Sequence, residues 1–103
     1  MVKIIKISKE EANRRLGDVP DEKWFWCHDG KLLKNLGELE KALVDMSDET
    51  FHYHSSEGRN DFSNWIRDVV GDNKLANDLS KAKSRIQASK AVAQRTSFLQ
   101  SKV

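Results

Sequence analysis

Apolar residues recur along much of this chain at helical spacing, three and four positions apart. The apolar positions of three such segments are Leu36, Leu39, Leu43 and Met46; Phe62, Trp65, Ile66 and Val69; and Leu75, Ala76 and Leu79. Each set predicts a helix that turns one apolar stripe toward a core. The residues directly before these segments are of the kind that caps a helix amino terminus: Asn35, Asn60 with Asp61, and Asp72. Gly71 is expected to end the second helix in a left-handed conformation.

Serine residues predict the starts of two short helices. Ser8 begins a capping-box pattern, and its helix should end at Gly17 in a left-handed conformation. Ser47 precedes two acidic residues, which favour a helix amino terminus, and that helix should run through His54. A polar loop is expected over residues 55–59.

The last helix is predicted to begin at Ser84 and to run through Leu99. Its bulky apolar residues do not share one stripe; they are Ile86, Val92, Phe98 and Leu99. Three alternatives stay open for this segment: it docks loosely, it frays, or it folds only against a partner.

Two parts of the chain carry β signals. Residues 2–7 alternate loosely and are rich in β-branched side chains, which suggests a short strand. Residues 23–28 and 31–34 flank Asp29-Gly30, a dipeptide suited to the positive φ angles of a tight type I′ turn, and should pair as a hairpin. An isolated hairpin is marginal in water, so it must pack on helices. The predicted fold is therefore α+β and mostly helical: a β-hairpin, with or without a short N-terminal strand, packed against four to six helices.

The length of 103 residues fits a single domain, 1–103, for which we expect a core within residues 20–80 and a basic C-terminal helix over residues 81–103. The longest apolar run has four residues, far fewer than the roughly 20 of a membrane span. The first residues also lack the apolar stretch of a signal peptide. Cys27 is the only cysteine, which fits a reducing compartment. We therefore expect a cytoplasmic protein without a membrane partner.

The net charge of +2 conceals an uneven distribution along the chain. Residues 1–80 carry 12 basic and 16 acidic side chains, whereas residues 81–103 carry six basic and no acidic ones. The six are Lys81, Lys83, Arg85, Lys90, Arg95 and Lys102. Such a segment is typical of an arm for an anionic partner, but cations are also favourable near the end of a final helix.

The side chains that could bind a soft metal do not have metal-site spacing. They are Cys27, His28, His52 and His54. Zinc sites use pairs such as Cys-x2-Cys or His-x3-His, and neither occurs. As a nucleophile Cys27 would need an adjacent base, but His28 should point to the opposite face of the strand. We therefore expect no catalytic residue, no metal and no cofactor.

Three polar residues flank the predicted loop: His54, Asn60 and Asp61. A structural network accounts for them, with Asn60 as a helix cap and His54 bonded to the backbone. A ligand pocket at the same place is the alternative, and we favour the network.

Aromatic residues dominate the first hairpin strand. Alternation places Trp24 and Trp26 on one face and Phe25 on the other. Both faces can be buried only if helices cover both of them. We favour two buried Trp side chains over the alternative, an exposed aromatic patch of the kind found at partner sites.

A set of short stretches within roughly residues 24–80 carries a resemblance to a known family. The stretches are Phe25 through Gly30; Leu36-Gly37-Glu38-Leu39 with Ala42-Leu43; Met46 through Phe51; His54; Asn60-Asp61-Phe62 with Trp65-Ile66 and Asp68-Val69; and Gly71-Asp72 with Leu75-Ala76. In these stretches the chain resembles a small prokaryotic, largely archaeal, domain family of unknown function. The resemblance implies a stand-alone or fused accessory module and implies no activity. Residues 1–20 and the basic segment lie outside it.

We expect from these observations a non-enzymatic accessory or adaptor module that binds another protein through its hairpin face or its C-terminal helix. The alternative is a nucleic-acid-binding protein that uses residues 81–103, because phosphate contacts need clustered Lys and Arg side chains. The acidic remainder of the chain opposes that alternative. The candidate partner-binding residues are Trp24 and Trp26 on the hairpin, and Lys81, Arg85, Arg95 and Lys102 on one side of a helical wheel.

Overall fold

The structure is a computed structural model that describes residues 6–56 and 58–103. It confirms a mostly helical α+β fold, because the described residues form six α-helices and two small antiparallel hairpins. The helices are α1 (Lys9–Leu16), α2 (Leu36–Asp45), α3 (Asp48–His54), α4 (Asp61–Trp65), α5 (Asn73–Lys81) and α6 (Arg85–Gln100). The strands are β1 (Phe25–Trp26), β2 (Leu32–Leu33), β3 (Ser55–Ser56) and β4 (Arg59–Asn60).

Each of the six helices begins directly after a polar residue predicted to cap it. In every case the cap's side-chain oxygen accepts a hydrogen bond from the backbone N–H three residues on; the caps are Ser8, Asn35, Ser47, Asn60, Asp72 and Ser84. In α1 the reciprocal half of the capping box does not form. The Glu11 carboxylate turns instead to the guanidinium groups of Arg14 and Arg15, each at 2.7 Å.

Two sequence predictions concern the N-terminal region. The predicted strand over residues 2–7 lies mostly outside the described residues, and its described end, 6–7, has no regular structure. Gly17 is not left-handed: its φ is −76°, and the chain leaves α1 extended. That path lets the Val19 N–H donate to the Lys34 carbonyl oxygen at 2.8 Å. The extended exit thereby ties the end of α1 to the hairpin.

The core extends beyond residues 20–80, contrary to the prediction, because α1 and α6 also contribute buried side chains. Ala12 of α1 is fully buried. Helix α6 packs on α2 and is buried along a stripe with spacings of four, four and three: Ala88, Val92, Thr96 and Leu99. Two members of this stripe are small or polar, so the bulky apolar positions alone did not reveal it. Helix α6 is thus part of the core.

Strands β1 and β2 pair antiparallel, as predicted, with Phe25 opposite Leu33 and Trp26 opposite Leu32. The side chains of Phe25 and Leu33 are buried. The Phe25 ring lies 5.1 Å from the Phe62 ring of α4, centroid to centroid. One face of the hairpin therefore belongs to the core.

The predicted type I′ turn is wrong. The Gly30 N–H donates to the Cys27 carbonyl oxygen at 2.9 Å, so the central residues of the turn are His28 and Asp29. Only glycines have positive φ among the described residues, and Gly30 has a φ of +94°. The result is a three-residue loop that ends in a left-handed glycine, because the Cys27 N–H pairs with the Lys31 carbonyl oxygen beyond it.

The helix that begins at Asp61 widens into a π-helical turn over Ile66–Val70. The wider turn moves the buried position from the predicted Val69, which is half-buried, to Val70. Gly71 ends the turn in a left-handed conformation, as predicted, with a φ of +83°. None of the helices in the described ranges is long and apolar enough to cross a membrane.

The predicted polar loop over residues 55–59 contains the second hairpin. Ser55 pairs with Asn60 and Ser56 with Arg59, and Gly58 in the turn has a φ of +77°. Two-residue polar strands carry no apolar alternation, so a sequence pattern does not reveal them.

Candidate functional site

The outward face of the first hairpin carries the most exposed large apolar side chain among the described residues. The Trp26 side chain is 75% exposed, and its cross-strand neighbour Leu32 is 38% exposed. The expectation that both Trp side chains are buried is therefore wrong for Trp26. Alternation defines two faces of a strand, and here the helices cover only the Phe25 face.

Trp24, which strand alternation predicted on the face of Trp26, directly precedes β1 and is half-buried. Its indole N–H donates to the Val19 carbonyl oxygen at 3.2 Å. The Lys34 ammonium lies 5.0 Å from the centroid of the ring, within the range of a cation–π contact. These contacts hold the Trp24 side chain in place directly before β1.

A groove of about 430 Å³ runs between β2 and α2 next to this face. Its lining combines apolar side chains with three lysines and two acids: Leu32, Leu33, Ala42, Lys31, Lys34, Lys41, Glu38 and Asp45. The Glu38 carboxylate accepts the backbone N–H of Lys34 at 2.8 Å, which joins the start of α2 to the end of β2. The rim of the groove is therefore net positive.

The tip of the hairpin is bound to α3 by two contacts. The His28 backbone N–H donates to His54 Nε2 at 2.9 Å, and the His28 ring stacks on the Tyr53 ring with centroids 3.8 Å apart. Because Nε2 accepts a hydrogen bond, the proton of the neutral His54 ring is assigned to Nδ1, which lies 3.0 Å from Asp61 Oδ2. His54 is buried and both of its nitrogens are occupied.

Asp61 and Asn60 complete a polar network around the β3–β4 hairpin. Two hydrogen bonds from Arg59, at 3.1 and 2.9 Å, lower the pKa of Asp61. Burial raises that pKa by less, and the contact with His54 lowers it further. The Asn60 side chain caps α4 and donates to the Leu79 carbonyl oxygen at 3.0 Å. The contacts of His54, Asn60 and Asp61 are those of the structural network.

The soft ligands do not converge. Burial raises the pKa of the Cys27 thiol, which disfavours the reactive thiolate. His28 meets His54 only through its backbone, and His52 is exposed. Within ranges 6–56 and 58–103, no group of three or more His, Cys, Asp or Glu side chains is arranged to hold a metal ion.

The basic segment does not form the single helical side on which its candidates were grouped. Lys81 ends α5, and a break separates it from α6. Arg85 donates to the carbonyl oxygens of Leu43 and Val44 at 2.9 and 2.8 Å, and to Asp48 at 3.0 Å. These bonds satisfy backbone acceptors at the carboxyl end of α2.

The two remaining candidates of that segment lie beside Phe98. The Lys102 ammonium is 5.1 Å from the centroid of the Phe98 ring, and the Arg95 guanidinium is 4.9 Å from it. The Arg95 Nε also donates to Asp72 at 2.9 Å, and the Arg95 side chain is only 13% exposed. Arg85 and Arg95 are therefore committed to contacts within the fold.

Asp72 is a buried ionic centre that the sequence patterns identified only as a helix cap. Its fully buried carboxylate accepts the Leu75 N–H at 2.9 Å and pairs with Arg95 of α6 and Arg15 of α1, the latter at 3.0 Å. Burial raises the pKa of Asp72, but the amide and the two guanidinium groups outweigh it and hold the pKa below its ordinary value. This centre joins three helices.

Comparison with known proteins gives no match among family models, curated proteins or solved structures. The resemblance to a small prokaryotic family stays a prediction. The function is therefore inferred from the geometry of the described residues.

Proposed function

We propose that this chain is a non-enzymatic accessory module that binds another protein through the outward face of its β1–β2 hairpin. The observation that carries the proposal is the exposure of Trp26, at 75%, beside Leu32. Transfer of an exposed indole ring from water into a protein interface is favourable because of the large apolar area that becomes buried. Trp is also among the residue types most enriched at the positions that contribute most to binding energy.

The hairpin is a rigid support for this side chain. Phe25 and Leu33 anchor its inner face in the core, and the His28 N–H fixes its tip to His54. A side chain presented on an ordered platform loses little further conformational entropy on binding. Rigidity of this kind favours a preformed interface.

The surroundings of Trp26 favour a partner of defined chemistry. Lys31, Lys34 and Lys41 border the adjacent groove, and the only acidic side chains that line it are Glu38 and Asp45. A partner segment with an apolar side chain flanked by carboxylates would complement both the indole and the positive rim.

Two observations favour the hairpin over the C-terminal helix, the other surface considered. Arg85 and Arg95 already hold α6 to the rest of the fold, so their guanidinium groups are engaged in contacts within the chain. Ile86 and Phe98 are exposed on α6, at 57% and 39%, but both are less exposed than Trp26. Phe98 borders a cavity lined by Arg15, Lys74 and Arg95, and two of these three cations are already paired with the buried Asp72. The same commitment of Arg85 and Arg95 weakens the nucleic-acid alternative.

The test places a photoreactive aromatic amino acid at Trp26 in the full chain, expressed in the cells that make the native protein. The matched control carries the same amino acid at Ile86, which is also exposed. We expect a protein adduct from position 26 that is absent from position 86. With the partner purified, Trp26→Ala should weaken binding by about 2 kcal/mol, roughly 30-fold, without lowering the melting temperature appreciably.

Three results would contradict the proposal. One is a protein adduct formed only from position 86, which would assign the interface to α6. Another is unchanged affinity of the purified partner for Trp26→Ala. The third is a predominant nucleic-acid adduct from position 86, with submicromolar RNA or DNA binding by the full chain, which would support the alternative function.

A further inference from the structure

A second concave surface, unrelated to the hairpin face, opens between the β3–β4 hairpin, α4 with its π-helical turn, and the segment that joins α5 to α6. Its volume is about 600 Å³, within the range of small-molecule pockets. The lining is mainly polar, with the hydroxyl groups of Ser55, Ser56 and Ser80 and the amides of Asn60 and Asn64.

Three cationic side chains line this cavity: Arg59, Arg67 and Lys83. No carboxylate lines it among the described residues, which do not include Glu57. The excess is notable because residues 1–80 as a whole are net acidic. The groove beside the hairpin, by contrast, mixes lysines with two acids.

The net positive charge comes mainly from Arg67 and Lys83. Asp61 offsets Arg59 through two hydrogen bonds. The only acid paired with Arg67 in the described ranges is Asp68, at 3.5 Å and largely exposed to water, so this pair offsets little.

Arg67 is also held in position. It lies in the π-helical turn, a rare geometry that recurs at functional sites, and its Nη2 donates to Asn64 Oδ1 at 2.5 Å. Within the described residues no hydrogen bond occupies its Nη1, which leaves a fixed donor group for a ligand. A planar guanidinium of this kind matches the oxygens of a phosphate.

We propose that this cavity binds a small molecule bearing a terminal phosphate group. Arg67 and Lys83 would supply charge, while the Ser55 and Ser56 hydroxyl groups and the Asn64 amide NH2 supply neutral donors. The Ser80 hydroxyl and the Asn60 amide already donate to backbone carbonyl oxygens. The site is independent of the hairpin face, so either assignment can fail without the other.

The test titrates the ¹⁵N-labelled full chain with pyrophosphate at constant ionic strength, using sodium chloride as the compensating salt. We expect saturable amide shifts confined to the residues around the cavity. Arg67→Gln and Lys83→Gln should each weaken binding by about tenfold, in keeping with the loss of one charge-assisted hydrogen bond. Arg67→Lys should restore part of the affinity, and Lys41→Gln, which removes the same charge from the other groove, should leave it unchanged.

The melting temperature of each variant establishes whether it is folded. We expect the Arg67 variants to fold, because the Arg67 side chain is partly exposed. Several outcomes would overturn the proposal. They are shifts distributed over all lysine-rich surfaces, equal weakening by Lys41→Gln, identical shifts with chloride alone, and tighter binding of single-stranded RNA than of pyrophosphate through Arg67 and Lys83.

Discussion

Removal of the charge on Asp72 tests the ionic centre that joins α1, α5 and α6. Asp72→Asn is the informative change, because Asn caps a helix about as well as Asp and keeps an acceptor for the Leu75 N–H. It leaves Arg15 and Arg95 without the carboxylate that both contact. Asp72→Ala removes the cap in addition.

The expected loss of stability follows from the burial of the three groups. Breaking a buried ion pair by removal of one partner costs about 3–5 kcal/mol. The Arg15 and Arg95 side chains are 17% and 13% exposed to water, and Arg15 still pairs with the Glu11 carboxylate at 2.7 Å after the substitution. Both facts lower the cost of losing the Asp72 charge. We therefore expect a loss of about 2–3 kcal/mol for Asp72→Asn. Asp72→Ala should lose about 1 kcal/mol more.

The assay is equilibrium unfolding in urea, with the free energy of unfolding extrapolated to water. The matched control is Asp78→Asn, which removes an acid from the same helix. Asp78 pairs with Lys74 at 2.6 Å on the surface, so its loss should cost about 0.5 kcal/mol or less. A loss below about 1 kcal/mol for Asp72→Asn would refute the reasoning, since water would then replace the carboxylate at little cost.

The same centre predicts a dependence of stability on pH. The pKa of Asp72 is lower in the folded chain than its ordinary value of 3.8, so the unfolded chain binds more protons in acid. The stabilisation is therefore present above about pH 4 and is lost as the pH falls through the lowered folded pKa. Asp72→Asn should reduce the loss of stability below about pH 4. Identical acid unfolding curves for the two proteins would contradict this linkage.

Three other substitutions have expected outcomes that urea unfolding can check. Gly30→Ala should lower the free energy of unfolding by about 1 kcal/mol or more, because φ is +94° there and no atom lies near the new Cβ to account for the loss otherwise. The control Gly37→Ala, in α2 and without a positive φ, should be neutral or stabilising, and equal effects of the two changes would contradict the reasoning. Arg85→Ala should lower the free energy of unfolding by about 1–2 kcal/mol, since the carbonyl oxygens at the carboxyl end of α2 lose their side-chain donor. A change below about 0.5 kcal/mol would show that water replaces the guanidinium group as the donor. Trp65→Ala should lower the free energy of unfolding by about 3–5 kcal/mol, because the ring is buried and its N–H donates to the Lys23 carbonyl oxygen at 2.8 Å. A loss near 1 kcal/mol would mean that the surrounding residues collapse around the smaller side chain.

The local sequence was sufficient to predict where the helices begin. Each cap joins a side chain to an amide three residues on, so the interaction lies within a few residues of sequence. The apolar stripes of α2 and α5 were likewise visible, because a helix repeats its faces every three to four residues. The α+β class and the first hairpin followed from the same local signals.

Tertiary structure decided the features on which the proposed function rests. Strand alternation placed Trp26 and Phe25 on opposite faces, but only the packed helices determined that Phe25 is buried and Trp26 exposed. Helix α6 docks through Ala88 and Thr96, whose small or polar side chains become core residues only against a close neighbour such as α2.

Charge patterns were the least informative part of the sequence. Arg95 and Arg85 suggested a basic arm, whereas both bind acceptors distant in the chain: Arg95 meets Asp72 across 23 residues, and Arg85 meets Asp48 across 37. Arg15 reaches Asp72 across 57 residues. A long charged side chain can extend into water or fold back onto a carboxylate, and its own sequence neighbourhood is the same in both cases. The choice depends on which acceptors the packing of distant helices brings within reach, so it is made only in the folded chain.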